Sequence, residues 1–194
     1  AKSKAAAKRW PVIAAAAAGG SQTSIDIFHA KDLKARSATL AHQASLPLIA
    51  TEAAVPTQRS TEDRGMVVHS ATAIKTHRQS GVLVGGTLLN RNLNFIDTIN
   101  ALVYRAKGSD RQGTATLFLE DVRISTNVRL FEDVRALGTR VSAAVRSRVL
   151  DEGLTWLDRA FVVNDWYISG YQPITDSFGN RVGMLYVGFL EAPY

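Results

Sequence analysis

WLDRAFVVNDWYISGYQPITDSFGNRVGMLYVGFL, residues 156–190, reads as three consecutive strands. Residues 156–163, 166–174 and 182–190 are each of strand length and rich in Val, Ile, Tyr, Phe and Trp. The last two are joined by Asp176-Ser177-Phe178-Gly179-Asn180, a turn with glycine where a positive φ is needed. Because strand side chains alternate, Asp165, Tyr167, Ser169 and Tyr171 share one face, while Trp166, Ile168 and Gly170 share the other. A polar aromatic face is unusual for plain core. It fits a pocket wall or a half-exposed surface.

Working upstream, Gly138-Thr139 is expected to open a helix with Val141, Ala144, Val145 and Val149 in one apolar stripe, ended by a left-handed cap at Gly153. Residues 114–119 and 122–128 read as a tight hairpin around Glu120-Asp121. Before it, Asn94 is expected to cap a helix carrying Phe95, Ile96, Ile99, Leu102 and Val103, with Asp97 three residues past the cap and a close at Gly108-Ser109-Asp110. From about residue 92 the order is helix, strand, strand, helix, strand, strand, strand. That describes an α+β module with one mainly antiparallel sheet flanked by helices.

An earlier strand pair, residues 66–74 and 82–89, has a long polar loop and resembles the tail of a similar unit, which suggests a tandem. Residues 29–63, with Pro47 and Pro56, read as a connecting region, and residues 24–28 as a short strand. Alanine density favours a helix over residues 5–18, ended by Gly19-Gly20, with Pro11 either in a first turn or at a kink.

The chain has 194 residues, 46% hydrophobic and 21% charged, which excludes collagen-like and wholly disordered classes. The absence of cysteine excludes disulfide scaffolds and thiol nucleophiles. The formal charge of +6 is concentrated at the start: residues 1–36 carry +5 of it, on Lys2, Lys4, Lys8, Arg9, Lys31, Lys34 and Arg36 against Asp26 and Asp32. No aromatic residues interleave with these cations as stacking platforms, so nucleic acid is not an expected partner. No apolar run approaches the ~20 residues of a membrane-spanning helix.

Catalytic and cofactor motifs are missing. His29, His42, His69 and His77 have no metal-ligand spacing, and neither a phosphate-binding glycine loop nor a GxSxG elbow occurs, so neither a metal nor another cofactor is expected. What remains is a second polar face, Arg123, Ser125 and Asn127, alternating with Ile124 and Thr126. If that strand neighbours the Tyr167 strand beneath Arg140, guanidinium and hydroxyl groups would converge on a small anionic or zwitterionic ligand. The alternative is that Arg123 and Arg140 form structural salt bridges with Glu120, Asp121 or Asp165.

GTATLFLEDVRISTNV, RALGTRVSAAVRSRVLDEG and RAFVVNDWYISGYQPITDSFGNRVGMLYVGFLE, within residues 113–194, closely resemble the Cache, or extracellular PAS-like, sensor domains of bacterial receptors. EDRGMVVHSA and GVLVGGTLLNRN resemble the closing strands of the membrane-distal module of double Cache proteins. The resemblance implies one complete module, residues 93–194, preceded by a partial distal module, residues 1–92, since nothing before Gly19 supplies that family's opening helix and strand pair.

It also implies a periplasmic or extracytoplasmic, non-catalytic sensor, anchored through segments absent from this chain. The resemblance further implies a homodimer in the full-length receptor, with a histidine kinase or chemoreceptor as its output. The ligand would be an organic acid or amino acid. Matching pocket-side positions are Arg123, Ser125, Asn127, Arg140, Trp166, Tyr167 and Tyr171, with Arg64, His69 and Arg91 as weaker distal candidates. Two other classes stay open: an interaction or dimerisation module, and an enzyme, for which no acid, base or nucleophile set converges.

Overall fold

The computed structural model describes residues 2–75, 80–104, 113–131, 134–163 and 165–191. The expected helix end at Gly108-Ser109-Asp110, His77 and Asn164 lie outside them. The chain opens with helices α1 (Lys2–Arg9) and α2 (Pro11–Ala17), with Pro11 at the first helical position, where its missing N–H costs nothing. Strand β1 (Ser21–Phe28) follows. The region expected to be a connector contains two helices, α3 (Ala30–Arg36) and α4 (Ala38–Ala44), and a small ladder of β2 (Leu46–Pro47) with β3 (Thr61–Glu62). Seven-residue helices are too short to print a clear apolar period. Ser37 separates them, its hydroxyl accepting from the Thr39 N–H at 3.2 Å. β4 (Gly65–Lys75) and β5 (Ser80–Leu88) then pair antiparallel, giving a three-stranded sheet in the order β1-β4-β5.

Helix α5 (Leu93–Val103) is capped by Asn92 rather than Asn94, because the Asn92 side-chain Oδ1 accepts from the Phe95 N–H at 3.1 Å. Asp97 instead takes a two-pronged hydrogen bond from Arg135, 2.8 Å on each oxygen. β6 (Thr114–Leu119) and β7 (Val122–Thr126) form the expected hairpin, followed by the short pair β8 (Arg129–Phe131) and β9 (Val134–Arg135). Helix α6 (Ala143–Arg146) continues as a π-helical turn, Ser147–Asp151. β10 (Trp156–Val162), β11 (Asp165–Thr175) and β12 (Arg181–Leu190) complete an antiparallel sheet in the order β10-β11-β12-β6-β7. Gly153 and Gly179 hold the positive φ values expected of them, 76° and 85°.

Gly138 does not open a helix. Residues 138–141 instead run beside β7, the Arg123 N–H donating to the Thr139 carbonyl and the Val141 N–H to that of Asp121, and the helix begins only after Ser142. Gly138 sits at φ 81°, and a Cβ there would come within 2.1 Å of the Pro47 carbonyl oxygen. The site therefore requires glycine on two counts.

Three apolar clusters hold these layers. Trp10, Val12, Ile13 and Phe28 pack between α2 and the three-stranded sheet. Phe118, Val145, Val149 and Met184 fill the space between the five-stranded sheet and α6. The third cluster joins Leu46, Met66 and Leu89 to Ile96, Leu117 and Ile124, so one core spans the segments before and after residue 92. At this seam the fully buried Asn90 accepts from the Met66 N–H at 2.9 Å and donates to the carbonyls of Ala44 and Arg64.

Beside it lies an ionic cluster. Arg64 donates to both oxygens of the buried Glu62 at 2.8 Å and to Glu120 at 2.7 Å, and Arg59 also hydrogen-bonds Glu62. Burial pushes the Glu62 carboxyl upward, but the hydrogen bonds from Arg64 and Arg59 outweigh it and hold the group below its ordinary 4.5. The Arg64 hydrogen bond likewise holds Glu120 low. Because these folded-state values are depressed, the stability they contribute is present above about pH 4.5 and is lost as pH falls through the folded values. Urea midpoints should therefore drop between pH 5 and pH 3, and Glu62→Gln should lower the midpoint at pH 7 while flattening that drop; an unchanged slope would exclude Glu62 as its source.

Candidate functional site

Arg123 is delivered by an irregularity in β7. Along the β6–β7 ladder Thr116 faces Thr126 and Leu117 faces Ser125, but Phe118 faces Arg123, leaving Ile124 as an extra residue. This bulge breaks the two-residue alternation. Arg123 consequently shares a face with Thr126 and Phe118, while Ser125 turns toward α5 and donates to the Asn92 carbonyl at 3.0 Å. The expected shared face of Arg123, Ser125 and Asn127 does not form.

The Arg123 side chain is 3% exposed. Its Nε donates to Thr139 Oγ1 and its Nη1 to Thr116 Oγ1, each at 3.0 Å, and the guanidinium lies 5.0 Å from the centre of the Phe118 ring. No carboxylate among the described residues pairs with it. Burial lowers its affinity for the proton, and the nearby phenols of Tyr171, Tyr186 and Tyr167 are the electrostatic partners that offset this. Burial in turn pushes all three phenols up, keeping them neutral hydrogen-bonding groups.

Arg123 forms part of the wall of a cleft of about 460 Å³. Tyr171 and Ala160 supply the sheet side, Thr139, Arg140 and Val145 the helix side, and residues 49–53 a rim. That rim brings Thr51 and Glu52 to the site from the segment expected to be a connector. Arg140 behaves differently from Arg123. Its guanidinium is bound at 2.6 Å to Asp121, which is 4% exposed, and also to the Val55 carbonyl. The salt-bridge alternative therefore describes Arg140 and not Arg123.

The remaining expected residues fall elsewhere. Asn127 ties strand ends together, accepting from the Ala115 N–H at 2.7 Å and donating to the Gly113 carbonyl. Trp166 points to the opposite face of β11, half-exposed beneath Arg159. Tyr167 shares the Tyr171 face but packs half-buried against the α6 core. Tyr186, its ring tilted against that of Tyr171 with centres 4.7 Å apart, was missed, although its strand was identified. Of the distal candidates, Arg64 is consumed by Glu62 and Glu120, Arg91 contacts the His42 carbonyl, and His69 is buried against Asp26. Among the described residues no group of three or more His, Asp or Glu could hold a metal ion, and no helix is long and apolar enough to cross a membrane.

The five-stranded antiparallel sheet with its helix-covered cleft is the portion that matches a known family: the profile described as Single cache domain 3 covers residues 87–194, more than half of the chain. The chain belongs to this family. Cache domains are extracellular sensory modules of receptors and are not catalytic. The mixed helix and antiparallel-sheet architecture agrees with the expected Cache/PAS-like fold. No curated protein and no solved structure gives a significant match.

The contrast between the two arginines of this Cache domain is measurable. Arg123→Met removes a buried cation that has no counter-ion among the described residues, and Thr116 and Thr139 each keep a second hydrogen-bond partner. It should leave the ligand-free protein as stable or more stable, by about 1 kcal/mol. Arg140→Met strands the buried Asp121 and should cost about 3 kcal/mol, the lower end for a broken buried pair, because the Arg146 Nε remains 3.8 Å away. Chemical denaturation of both variants without ligand checks this; equal losses would show that Arg123 is a structural residue.

Proposed function

We propose that the chain is the extracytoplasmic sensor portion of a membrane receptor, and that it binds a small carboxylate or amino acid in the cleft beside Arg123. The observation that carries this reading is the guanidinium itself. A cation taken out of water is costly unless it is paired, and a planar fork pairs best with a carboxylate. Arg123 borders a cleft large enough for a metabolite and pairs with no carboxylate among the described residues. A bound carboxylate would supply the missing partner. An amino-acid ligand would direct its ammonium toward Glu52 on the rim, whereas Tyr171 offers a neutral phenol to orient either class.

Because the rim comes from residues 49–53 and the sheet from β10 and β11, a ligand bridging them would favour one packing of the two segments over another. A ligand shifts such states only by its differential affinity for them. The shift would leave through the end of β12 toward a membrane-linked output domain of histidine-kinase or chemoreceptor type. In this reading residues 1–92 are a partial membrane-distal module of double Cache type. A thermal-shift screen of organic acids and amino acids should find a stabilising compound, since binding to the native state raises stability by mass action. Calorimetric affinity for that compound should fall at least about tenfold in Arg123→Met, the worth of one charge-assisted hydrogen bond. Unchanged affinity would reject the cleft, and Glu52→Gln should weaken amino acids alone.

One observation favours an additional homodimeric association. On the face of the sheet opposite the cleft, Leu157 is 82% exposed, and Ile168, Trp166 and Phe189 are about half-exposed. An apolar patch of this kind marks an interaction site. Sedimentation should show a concentration-dependent dimer that Leu157→Lys with Ile168→Lys dissociates without loss of ligand affinity; a monomer at all concentrations would exclude this surface.

A further inference from the structure

The two sheets repeat one pattern of registry. In the first, Val67 faces Leu88, His69 faces Gly86 and Ile74 faces Gly81. In the second, Tyr167 faces Leu190, Ser169 faces Gly188 and Ile174 faces Gly183. The outer strands follow suit, since Asp26 faces Val67 as Ala160 faces Tyr167. Asp26 and His69 thus occupy, on the helix-covered face of the first sheet, the places that Ala160 and Ser169 hold in the second.

That face also has a cleft, of about 260 Å³, between β4, β5 and the helices α3 and α4. Phe28, Leu33, Leu40 and Leu88 make it apolar, and His69 and Arg36 are the charged or titratable side chains that reach it. His69 is 3% exposed and its Nδ1 lies 2.7 Å from Asp26 Oδ2. A carboxylate only accepts, so Nδ1 donates, and Nε2 has no hydrogen-bond partner among the described residues. Asp26 is fully buried, and its other oxygen accepts from Ser177. Arg36 stands 4.8 Å over the Phe28 ring at the exposed rim, bonded to a backbone carbonyl and to no carboxylate among the described residues.

We infer that this cleft is a second ligand site, taking a small apolar monocarboxylic acid whose carboxylate bridges His69 Nε2 and Arg36. Binding of the carboxylate takes up one proton from solvent at His69 Nε2, so that the imidazole donates from both nitrogens, one to Asp26 and one to the ligand, and the apolar walls hold the hydrocarbon part. The size of the cleft restricts the ligand to a short or branched chain. The carboxylate thus sits between an imidazole nitrogen and a guanidinium in a cleft whose lining carries no acid. The site is independent of the Arg123 cleft and uses the opposite half of the chain.

The test uses the Arg123→Met protein, so that failure of the first cleft does not affect the outcome, with 3-methylbutanoate as probe and 3-methyl-1-butanol as its uncharged counterpart. The expected result is calorimetric binding of the acid that is at least about tenfold tighter than that of the alcohol. It should weaken by a similar factor in Arg36→Gln, an exposed position where folding is not at risk, and disappear in Leu40→Trp. In the NMR spectrum of the unsubstituted protein the His69 Hε1 resonance should move on titration with the acid. Absence of binding, equal binding of the alcohol, affinity unchanged by Arg36→Gln, or a stationary His69 resonance would each overturn the assignment.

Discussion

The extra residue at Ile124 in β7 determines what the five-stranded sheet can do, because it turns Arg123 away from α5 and onto the face that carries Tyr171 and Tyr186. Without it, strict alternation would place Arg123 beside Ser125, facing Asn92 and the apolar seam. The bulge also frees the Arg123 backbone to meet residues 138 and 139, which carry Thr139 to the guanidinium and Arg140 to the rim. One local break in a ladder therefore sets the orientation of the cation, the path of the following segment and the start of α6.

The two arginines on either side of the cleft show how burial separates roles. Arg140 meets a buried aspartate, and the pair satisfies itself, so its energy is spent on holding residues 51–55 and 138–146 together. Arg123 is more deeply placed but rests on two threonine hydroxyls and an aromatic face, none of which neutralises charge. Burial costs a cation more than neutral hydrogen bonds return. The proposed carboxylate ligand would supply the missing counter-charge, which is why the sensor reading centres on this residue.

The segments before and after residue 92 are bound by shared core and by polar ties. Asn90 satisfies three backbone groups from separate elements, and Ser177, in the turn between β11 and β12, reaches back to Asp26. The repeated registry of the two sheets places unlike chemistry at equivalent positions, an aspartate and a histidine in one and an alanine and a serine in the other. The fold repeats the backbone geometry, and the side chains make the two clefts chemically different.

The sequence by itself determined the strands of the C-terminal sheet, the hairpin at residues 114–126, the glycines at 153 and 179 and the family resemblance, because each rests on local alternation, turn chemistry or short motifs. It also brought Arg123, Arg140 and Tyr171 forward as site residues. Only the tertiary structure decided that Ser125 and Asn127 lie away from the cleft, since a bulge cannot be read from spacing, and which of the two faces of β11 lines it, leaving Trp166 outside. Helices α3 and α4 were hidden because two-turn helices depend on packing rather than periodicity. The same holds for the rim at residues 49–53 and for Tyr186. Both depend on contacts between segments far apart in the chain, which carry no local signal.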